Sequence, residues 1–97
     1  RQRAIRVVPE FDMPAHTSSW FVGYPQLASV RRSTFQLEKR WGVMNSTMDV
    51  TLETTYQFLD RFFGEVVQVF PDPIVHIGGD ECEPYEWMES EAIQKFI

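Results

Sequence analysis

The sequence has few of the features that mark disulfide-bonded, membrane-spanning or nucleic-acid-binding proteins. Cys82 is the single cysteine, so the chain cannot form an internal disulfide. No apolar run is long enough to cross a membrane, and we expect no membrane partner. The 9 lysines and arginines are outnumbered by 14 acidic residues and are scattered along the chain, which argues against nucleic acid as a partner.

The composition of the chain is typical of a folded protein with a hydrophobic core. Hydrophobic residues make up 43% of the sequence and aromatic residues 14%, whereas disordered segments are poor in both. The chain starts in a run that leads directly into a predicted strand, and it stops inside a predicted helix, residues 91–97. We therefore expect residues 1–97 to be part of a larger domain, incomplete at both ends.

The first half of the chain predicts one strand followed by a long loop. Strand-forming residues such as Val7 and Val8 predominate in residues 4–11, and a loop leaves that strand at residues 12–16. Residues 17–50 show no clear periodicity, and irregular connections of such length are commonly functional. Because this stretch is rich in aromatic residues, we predict a folded functional loop with a short helical turn near residues 26–30.

The second half predicts a helix, a strand and another helix. Apolar residues recur at three- and four-residue steps across residues 52–70, which places one apolar stripe along a helix. Thr51 is the predicted N-cap of this helix, and Pro71 prevents its continuation. A strand follows at residues 74–81, and Ser90 is the predicted N-cap of the last helix.

The end of the second strand carries the most informative residues of the chain. The largely apolar residues 74–77 predict a strand buried on both faces, as in a parallel sheet covered by helices. Gly78 and Gly79 allow a sharp turn or a close approach, because neither has a Cβ atom. The adjacent carboxylates Asp80 and Glu81 then lie at the strand end, where α/β barrels place their chemistry.

This placement favours a hydrolase that works with carboxylates. Glycoside cleavage needs a proton donor for the leaving oxygen and a group that stabilises positive charge on the sugar. Glu81 is the predicted donor because it has the longer side chain, and the negative charge of the adjacent Asp80 favours its protonated form.

The first strand is expected to supply the support for this pair. Strand–helix–strand connections are almost always right-handed and make the two strands parallel, so both strand ends should share one edge. His16 is expected to reach and hold Glu81 across that edge, with Asp12 or His76 in structural support. Asp12 is interpreted as a residue that bonds loop amides, and His76 as a satisfied core histidine.

These motifs resemble those of the family 20 glycoside hydrolases, the β-N-acetylhexosaminidases. Residues 74–81 are similar to the family's His-hydrophobic-Gly-Gly-Asp-Glu signature, and residues 6–17 resemble the exit of its third barrel strand. Residues 56–72 resemble the helix that follows, and Trp87 falls where the family has a tryptophan. The resemblance implies an α/β fold, with the chain spanning the third and fourth βα units of a (β/α)₈ TIM barrel. The rest of the barrel would then be required for folding.

The resemblance also implies a reaction. It is the retaining removal of terminal N-acetylhexosamine by an exo-acting enzyme, assisted by the substrate's own 2-acetamido group. Glu81 is implied to be the general acid and base, Asp80 to bind and orient the acetamide, and His16 to support Glu81. Trp87 is implied to border the sugar. The expected partner is an N-acetylhexosamine-terminated glycoside or oligosaccharide, with neither cofactor nor metal, and the isolated fragment is expected to be inactive.

Two residues depart from the family pattern, and neither handles protons. Ala15 replaces a common glycine, so its backbone is expected to avoid positive φ or to accept strain. Cys82 is interpreted as a small buried filler, because the neighbouring acids oppose thiolate formation. The remaining aromatic residues are interpreted as packing rather than as sugar-binding platforms: Trp20, Tyr24, Trp41, Phe58, Phe62 and Phe63.

Two other functions stay open at this point. Asp12, His16, His76 and Asp80 carry groups that bind metals, which would suit a metal-dependent barrel hydrolase. A non-catalytic, sugar-binding barrel segment is the other, although the intact acid pair argues against it. The sequence does not specify gluco or galacto configuration in the substrate, and we expect an exported rather than a cytoplasmic protein.

Overall fold

The described part of the chain is mainly helical. The computed structural model describes residues 3–97; residues 1 and 2, where the run into the first predicted strand begins, lie outside the described residues. Four α-helices are present in this part of the chain: α1 (Ser18–Gly23), α2 (Glu53–Val69), α3 (Tyr85–Glu89) and α4 (Glu91–Phe96). A 3₁₀ turn at Pro25–Leu27 follows α1. Among residues 3–97, no helix has both the length and the apolar character that a membrane crossing requires.

The two predicted strands are present as short paired segments. They meet in a single parallel bridge between Glu10 and His76. Backbone hydrogen bonds continue the pairing, from Phe11 N to His76 O at 3.0 Å and from Met13 N to Ile77 O at 3.0 Å. The parallel orientation expected from the strand–helix–strand order is therefore confirmed.

The predicted strand lengths, residues 4–11 and 74–81, are wrong for this chain. A buried sheet strand has ladder partners on both sides, whereas within residues 3–97 each segment is bridged only to the other. The described residues also leave the apolar side chains uncovered, since Val7 is 67% exposed and Ile77 is 55% exposed. The prediction that residues 74–77 are buried on both faces is wrong here for the same reason.

Helix α2 confirms the predicted amphipathic helix and supports the parallel pair from one side. The ring of Phe11, beside the bridge, lies 4.9 Å from the ring of Phe62 and 6.2 Å from that of Phe63. The rings of Phe58 and Phe62 stack at 6.4 Å. The interpretation of these helix phenylalanines as packing residues is confirmed. Through them, α2 fixes the segment that leads into the candidate site.

The predicted N-cap is confirmed for α4 and wrong for α2. Ser90 caps α4, with its Oγ accepting the backbone N–H of Ile93 at 3.5 Å. The N-cap of α2 is Leu52 rather than Thr51. The hydroxyl of Thr51 donates instead to Asp49 Oδ1 at 2.6 Å, so it is engaged with the preceding turn and not with the helix.

Residues 28–48 form one loop whose two ends are held together. Ala28 and Met48 form an antiparallel bridge, and Ser29 N donates to Thr47 O at 3.0 Å. The ends of the loop lie on a small core of buried side chains: Phe21, Leu27, Ala28 and Met48. We call residues 38–44 the tip of this loop. The helical turn predicted near residues 26–30 is the 3₁₀ turn at its start, whereas α1 was not anticipated by the sequence pattern.

Candidate active site

The parallel pairing brings Asp12 against the two glycines of the second segment. Gly79 N donates to Asp12 Oδ1 at 2.9 Å, so the loop-amide bond expected of Asp12 is present. Gly78 and Gly79 have φ values of 68° and 107°, which residues with a Cβ atom rarely adopt. A Cβ atom at Gly78 would also come within 2.9 Å of Asp12 Cα. The two segments can therefore approach this closely only with glycine at position 78.

Replacing Gly78 by Ala is expected to destabilise the protein and to open the site. The new Cβ would collide with Asp12, and alanine would be held at a φ of 68°, so we expect the free energy of unfolding to fall by more than about 2 kcal/mol. Denaturant unfolding of the full-length variant measures this loss. Gly64→Ala is the matched control, because a Cβ atom there would meet nothing within 4 Å. An equal effect at both positions would contradict the steric explanation.

His16 and Glu81 contact each other across the two segment ends. His16 Nε2 lies 3.1 Å from Glu81 Oε2 and 3.9 Å from Asp12 Oδ2. Both members of the pair have left-handed backbones, with φ values of 54° at His16 and 50° at Glu81. Strained backbone of this kind is concentrated at functional sites, where the fold holds side chains in a required direction. Ala15 avoids positive φ as expected, and the strain lies one residue later.

The contact between His16 and Glu81 lies in an open cavity of about 490 Å³. The cavity is lined by two groups of residues, the acid–imidazole group (Asp12, His16, Asp80 and Glu81) and part of the loop tip (Arg40, Trp41, Gly42 and Val43). The side chain of Glu81 is 53% exposed, so its carboxylate can meet a molecule arriving from solvent. Four of the six candidate site residues are thus brought together in one place.

A larger cavity of about 780 Å³ lies at the opposite ends of the paired segments. Its lining is mostly apolar and carries the Arg6–Asp72 ion pair, with Arg6 Nη2 2.7 Å from Asp72 Oδ1. None of the predicted site residues lines it. Since α/β barrels carry out their chemistry at the carboxyl ends of their strands, we take the smaller cavity as the candidate site.

Two candidate residues lie outside the cavity lining. Trp87 is partly buried, and its indole N–H donates to the backbone carbonyl of Met48 at 3.0 Å. His76 is exposed, so its interpretation as a core histidine is wrong, because the described residues do not cover that side of the bridge. Its Nδ1 accepts the N–H of Gly78 at 3.0 Å and lies 3.5 Å from Glu10 Oε1. His76 therefore contacts the glycine turn and not the carboxylate pair.

The sequence pattern gives no sign that the loop tip lines the site. Trp41 is 100% exposed and lines the cavity, so its interpretation as loop packing is wrong. The same interpretation is confirmed for Trp20 and Tyr24, whose rings lie 6.1 and 4.5 Å from the ring of Phe58. All three residues occur in one aromatic-rich stretch, and no local pattern separates the exposed one from the others.

Cys82 follows the acid pair, but its surroundings do not favour a reactive thiol. Partial burial raises the pKa of its thiol, and the negative charges of Asp12 and Glu83 raise that pKa further. The thiolate, which is the reactive form, is therefore disfavoured at neutral pH. This agrees with the expectation that Cys82 is unreactive, whereas the expectation that it is buried is wrong, because the residue is only half-buried.

Three of the candidate residues also form a group with metal-binding chemistry. One ligand atom from each of Asp12, His16 and Asp80 lies within 4.8 Å of the others. His76, the fourth residue of the metal hypothesis, is not part of this group. The donor set of two carboxylates and one imidazole fits Zn²⁺ or Mn²⁺ chemically, although His16 already contacts Glu81 and Asp12 already accepts a backbone N–H.

An acid pair beside an imidazole, at the carboxyl ends of parallel segments, is an arrangement suited to glycoside hydrolysis. Comparison with known proteins agrees with this class. Residues 1–97 match the sequence model described as glycosyl hydrolase family 20, catalytic domain. The chain is 44% identical over 97 residues to beta-hexosaminidase subunit beta of Homo sapiens, and 41% identical over 97 residues to subunit alpha of Rattus norvegicus. The chain belongs to glycosyl hydrolase family 20.

Solved structures show the same relationship in three dimensions. The chain matches a chitobiase of Flavobacterium johnsoniae with a TM-score of 0.90 and 38% identity, over 98% of this chain and 14% of the chitobiase. It matches a beta-N-acetylhexosaminidase with a TM-score of 0.89 and 26% identity, over 98% of this chain and 20% of that protein. All of this chain is covered in the human and rat comparisons, but it spans only 17% and 18% of those relatives.

Proposed function

We propose that this chain is part of a retaining exo-β-N-acetylhexosaminidase that removes terminal N-acetylhexosamine from glycosides or oligosaccharides. Within the proposed enzyme, residues 1–97 contribute the third and fourth βα units of a (β/α)₈ barrel that continues beyond both ends. The other units would cover the apolar side chains that this chain leaves exposed, such as Val7 and Ile77, and are therefore required for folding. The names of the relatives, beta-hexosaminidase and chitobiase, support this substrate class.

The observation that carries the proposal is the His16–Glu81 contact at 3.1 Å inside a cavity that also holds Asp80. A proton donor must be oriented and must also be reachable by substrate. His16 contacts Oε2 of Glu81, and the Glu81 side chain lines the cavity and is 53% exposed. Glu81 Oε1, the oxygen that does not contact His16, is then placed to serve the substrate.

The proposed reaction has two steps. In the first, Glu81 gives its proton to the glycosidic oxygen while the substrate's acetamide oxygen bonds to the anomeric carbon, and the leaving group departs. Asp80 accepts the acetamide N–H and stabilises the positive charge that develops on the resulting ring. In the second step Glu81 takes a proton from a water molecule, whose oxygen bonds to the anomeric carbon while the bond between that carbon and the acetamide oxygen breaks. Two displacements at one carbon retain its configuration.

The remaining candidates have supporting roles in this proposal. Asp12 holds the glycine turn through Gly79 N and lies 3.9 Å from His16 Nε2, so it positions the imidazole. His76 holds the same turn through Gly78 N. Trp87 was expected to border the sugar, but its indole fastens α3 to the end of the long loop at Met48. We therefore propose that Trp87 supports the site from behind and assign it no contact with the sugar.

A metal-dependent hydrolysis is the second candidate, because Asp12, His16 and Asp80 could together hold a cation. One experiment separates the two candidates. The full-length protein is assayed on an aryl β-N-acetylglucosaminide before and after dialysis against EDTA. We expect hydrolysis at the same rate in both samples. Loss of activity on chelation that Zn²⁺ restores would establish the metal mechanism, and binding of N-acetylglucosamine without any hydrolysis would show a sugar-binding segment instead.

A further inference from the structure

Glu86 is a buried carboxylate that takes no part in the proposed reaction. It lies on α3, and its side chain is 6% exposed. Its Oε1 accepts a hydrogen bond from Arg32 Nη2 at 2.9 Å, and its Oε2 accepts one from the backbone N–H of Thr47 at 2.9 Å. Burying a charge costs free energy unless the charge is paired and hydrogen-bonded. Both partners therefore hold Glu86 in one place, and Glu86 in turn holds the backbone of Thr47.

The backbone that Glu86 holds belongs to residues 46–48, at the end of the long loop, which we call the connecting segment. The next residue of α3 binds the next residue of this segment, since Trp87 Nε1 donates to Met48 O at 3.0 Å. Helix α3 follows Glu81 closely in the chain. One side of the connecting segment is thus attached to the part of the chain that carries the proposed proton donor.

The other side of the connecting segment holds the residues that bracket His16. Met48 N donates to Pro14 O at 2.9 Å, and Thr17 N donates to Ser46 Oγ at 3.1 Å. The hydroxyl of Thr17 lies 3.2 Å from Ser46 O, and Thr17 is fully buried. His16 has a φ of 54°, and a left-handed backbone persists in such a residue only where the surrounding structure imposes it. The hydrogen bonds of the connecting segment fix the chain on both sides of this strained residue.

His16 and Glu81 are therefore joined by two routes. One is their direct contact, with His16 Nε2 3.1 Å from Glu81 Oε2. The other runs from the residues that bracket His16, through the connecting segment, to α3. Between α3 and Glu81 the chain is closed into a turn, in which Glu83 N donates to Glu81 O at 2.9 Å. Because 3.1 Å is near the long end of ordinary hydrogen-bond distances, a small displacement of either side would break the direct contact.

We propose that Glu86 is a positioning residue, which holds His16 at hydrogen-bonding distance from Glu81 through the connecting segment and so keeps the proton donor oriented. This inference rests on the proposed exo-hexosaminidase function. Glu86 is not among the residues that line the cavity, so it acts on the orientation of the donor and not on the binding of substrate. Its effect should appear in the step that needs a proton, and not in KM.

Kinetics of the full-length protein test this proposal with two substrates. The β-1,4-linked disaccharide of N-acetylglucosamine has a leaving group that must be protonated, whereas 2,4-dinitrophenyl β-N-acetylglucosaminide has one that departs without a proton. Glu86→Ala frees the connecting segment and is expected to lower kcat for the disaccharide about tenfold, with KM changed less than about twofold. The single-turnover rate of dinitrophenol release should stay within about twofold of the wild-type rate. Glu86→Gln should recover most of the loss, because its amide oxygen can still accept the N–H of Thr47.

Glu91→Ala is the matched control. It removes a carboxylate that is paired with Lys95 Nζ at 2.6 Å, but Glu91 lies on α4 and its side chain is 83% exposed. Both substrates should be unaffected. Should Glu86→Ala fail to fold, Trp87→Phe decides the question, because it keeps a ring, deletes the hydrogen bond to Met48 O and should give the same contrast between the substrates.

Three results would overturn the proposal and leave the hexosaminidase function intact. They are equal losses on the two substrates, a higher KM in place of a lower kcat, and an unchanged kcat accompanied by a lower free energy of unfolding. The last is the result expected of a residue that only stabilises the fold. A wild-type protein that hydrolyses neither substrate would overturn the proposed function itself.

Discussion

Replacing Glu81 by Gln in the full-length protein is expected to lower kcat for the N-acetylglucosamine disaccharide about a thousandfold. Gln keeps the size of the side chain and can still meet His16 Nε2, which lies 3.1 Å from Glu81 Oε2. It cannot, however, give a proton to the leaving oxygen or take one from water. General acid–base catalysis contributes about 10²- to 10⁴-fold to such reactions, which sets the size of the expected loss.

Substrates with different leaving groups distinguish the acid function of Glu81 from its base function. A 2,4-dinitrophenyl leaving group needs no protonation, so the first step in Glu81→Gln should be largely restored with that substrate. The second step still lacks its base, and a burst of dinitrophenol followed by slow turnover is expected in stopped-flow absorbance. Glu83→Gln is the control, since Glu83 is an exposed carboxylate outside the cavity lining. Near-normal disaccharide turnover by Glu81→Gln would contradict the assignment.

Asp80→Asn is expected to lower kcat about 10²- to 10³-fold with every leaving group. The substitution keeps the shape and one hydrogen-bond acceptor but removes the negative charge. That charge lies in the same cavity as Glu81 and is proposed to stabilise the cationic ring formed from the acetamide. Removing one preorganised electrostatic partner of a transition state costs about this much.

The role of Asp80 is tested by comparing the loss in kcat between substrates with different leaving groups. Because its proposed role lies in the attack by the acetamide, the loss should be the same for the disaccharide and for the dinitrophenyl glycoside. Asp60→Asn, an exposed carboxylate on α2, should have no effect. If Asp80→Asn is rescued by the dinitrophenyl leaving group as Glu81→Gln is, then Asp80 takes part in leaving-group protonation and the two roles have been exchanged.

The sequence predicts well the features that depend on residues close to one another along the chain. The three- and four-residue spacing of apolar residues identifies α2, because a helix of 17 residues presents one face to its neighbours. The Gly78-Gly79 pair identifies a turn that only glycine can make against Asp12. The parallel orientation of the two segments follows from a general rule of chain connection, which is why His16 could be matched to Glu81 from 65 positions away.

The features that the sequence does not predict depend on contacts between distant residues. Strand length was overestimated because strand-forming residues such as Val7 need ladder partners that residues 3–97 do not supply. In the sequence, Glu86 looks like any other carboxylate on a helix. Its hydrogen bonds with Thr47 and Arg32 are evident only in the structure. Trp41 is the same kind of case, since its exposure depends on the direction in which the loop leaves the core.

In the proposed mechanism, the substrate's own acetamide oxygen attacks the anomeric carbon while Asp80 and Glu81 assist. Fluorination of the N-acetyl methyl group weakens that oxygen as a nucleophile with little change in size. The most direct measurement is therefore kcat/KM of the full-length protein on a series of aryl N-acetylglucosaminides with increasing fluorination. We expect kcat/KM to decrease steeply with each added fluorine. Rates that do not depend on fluorination would show that another nucleophile attacks, and would contradict this mechanism.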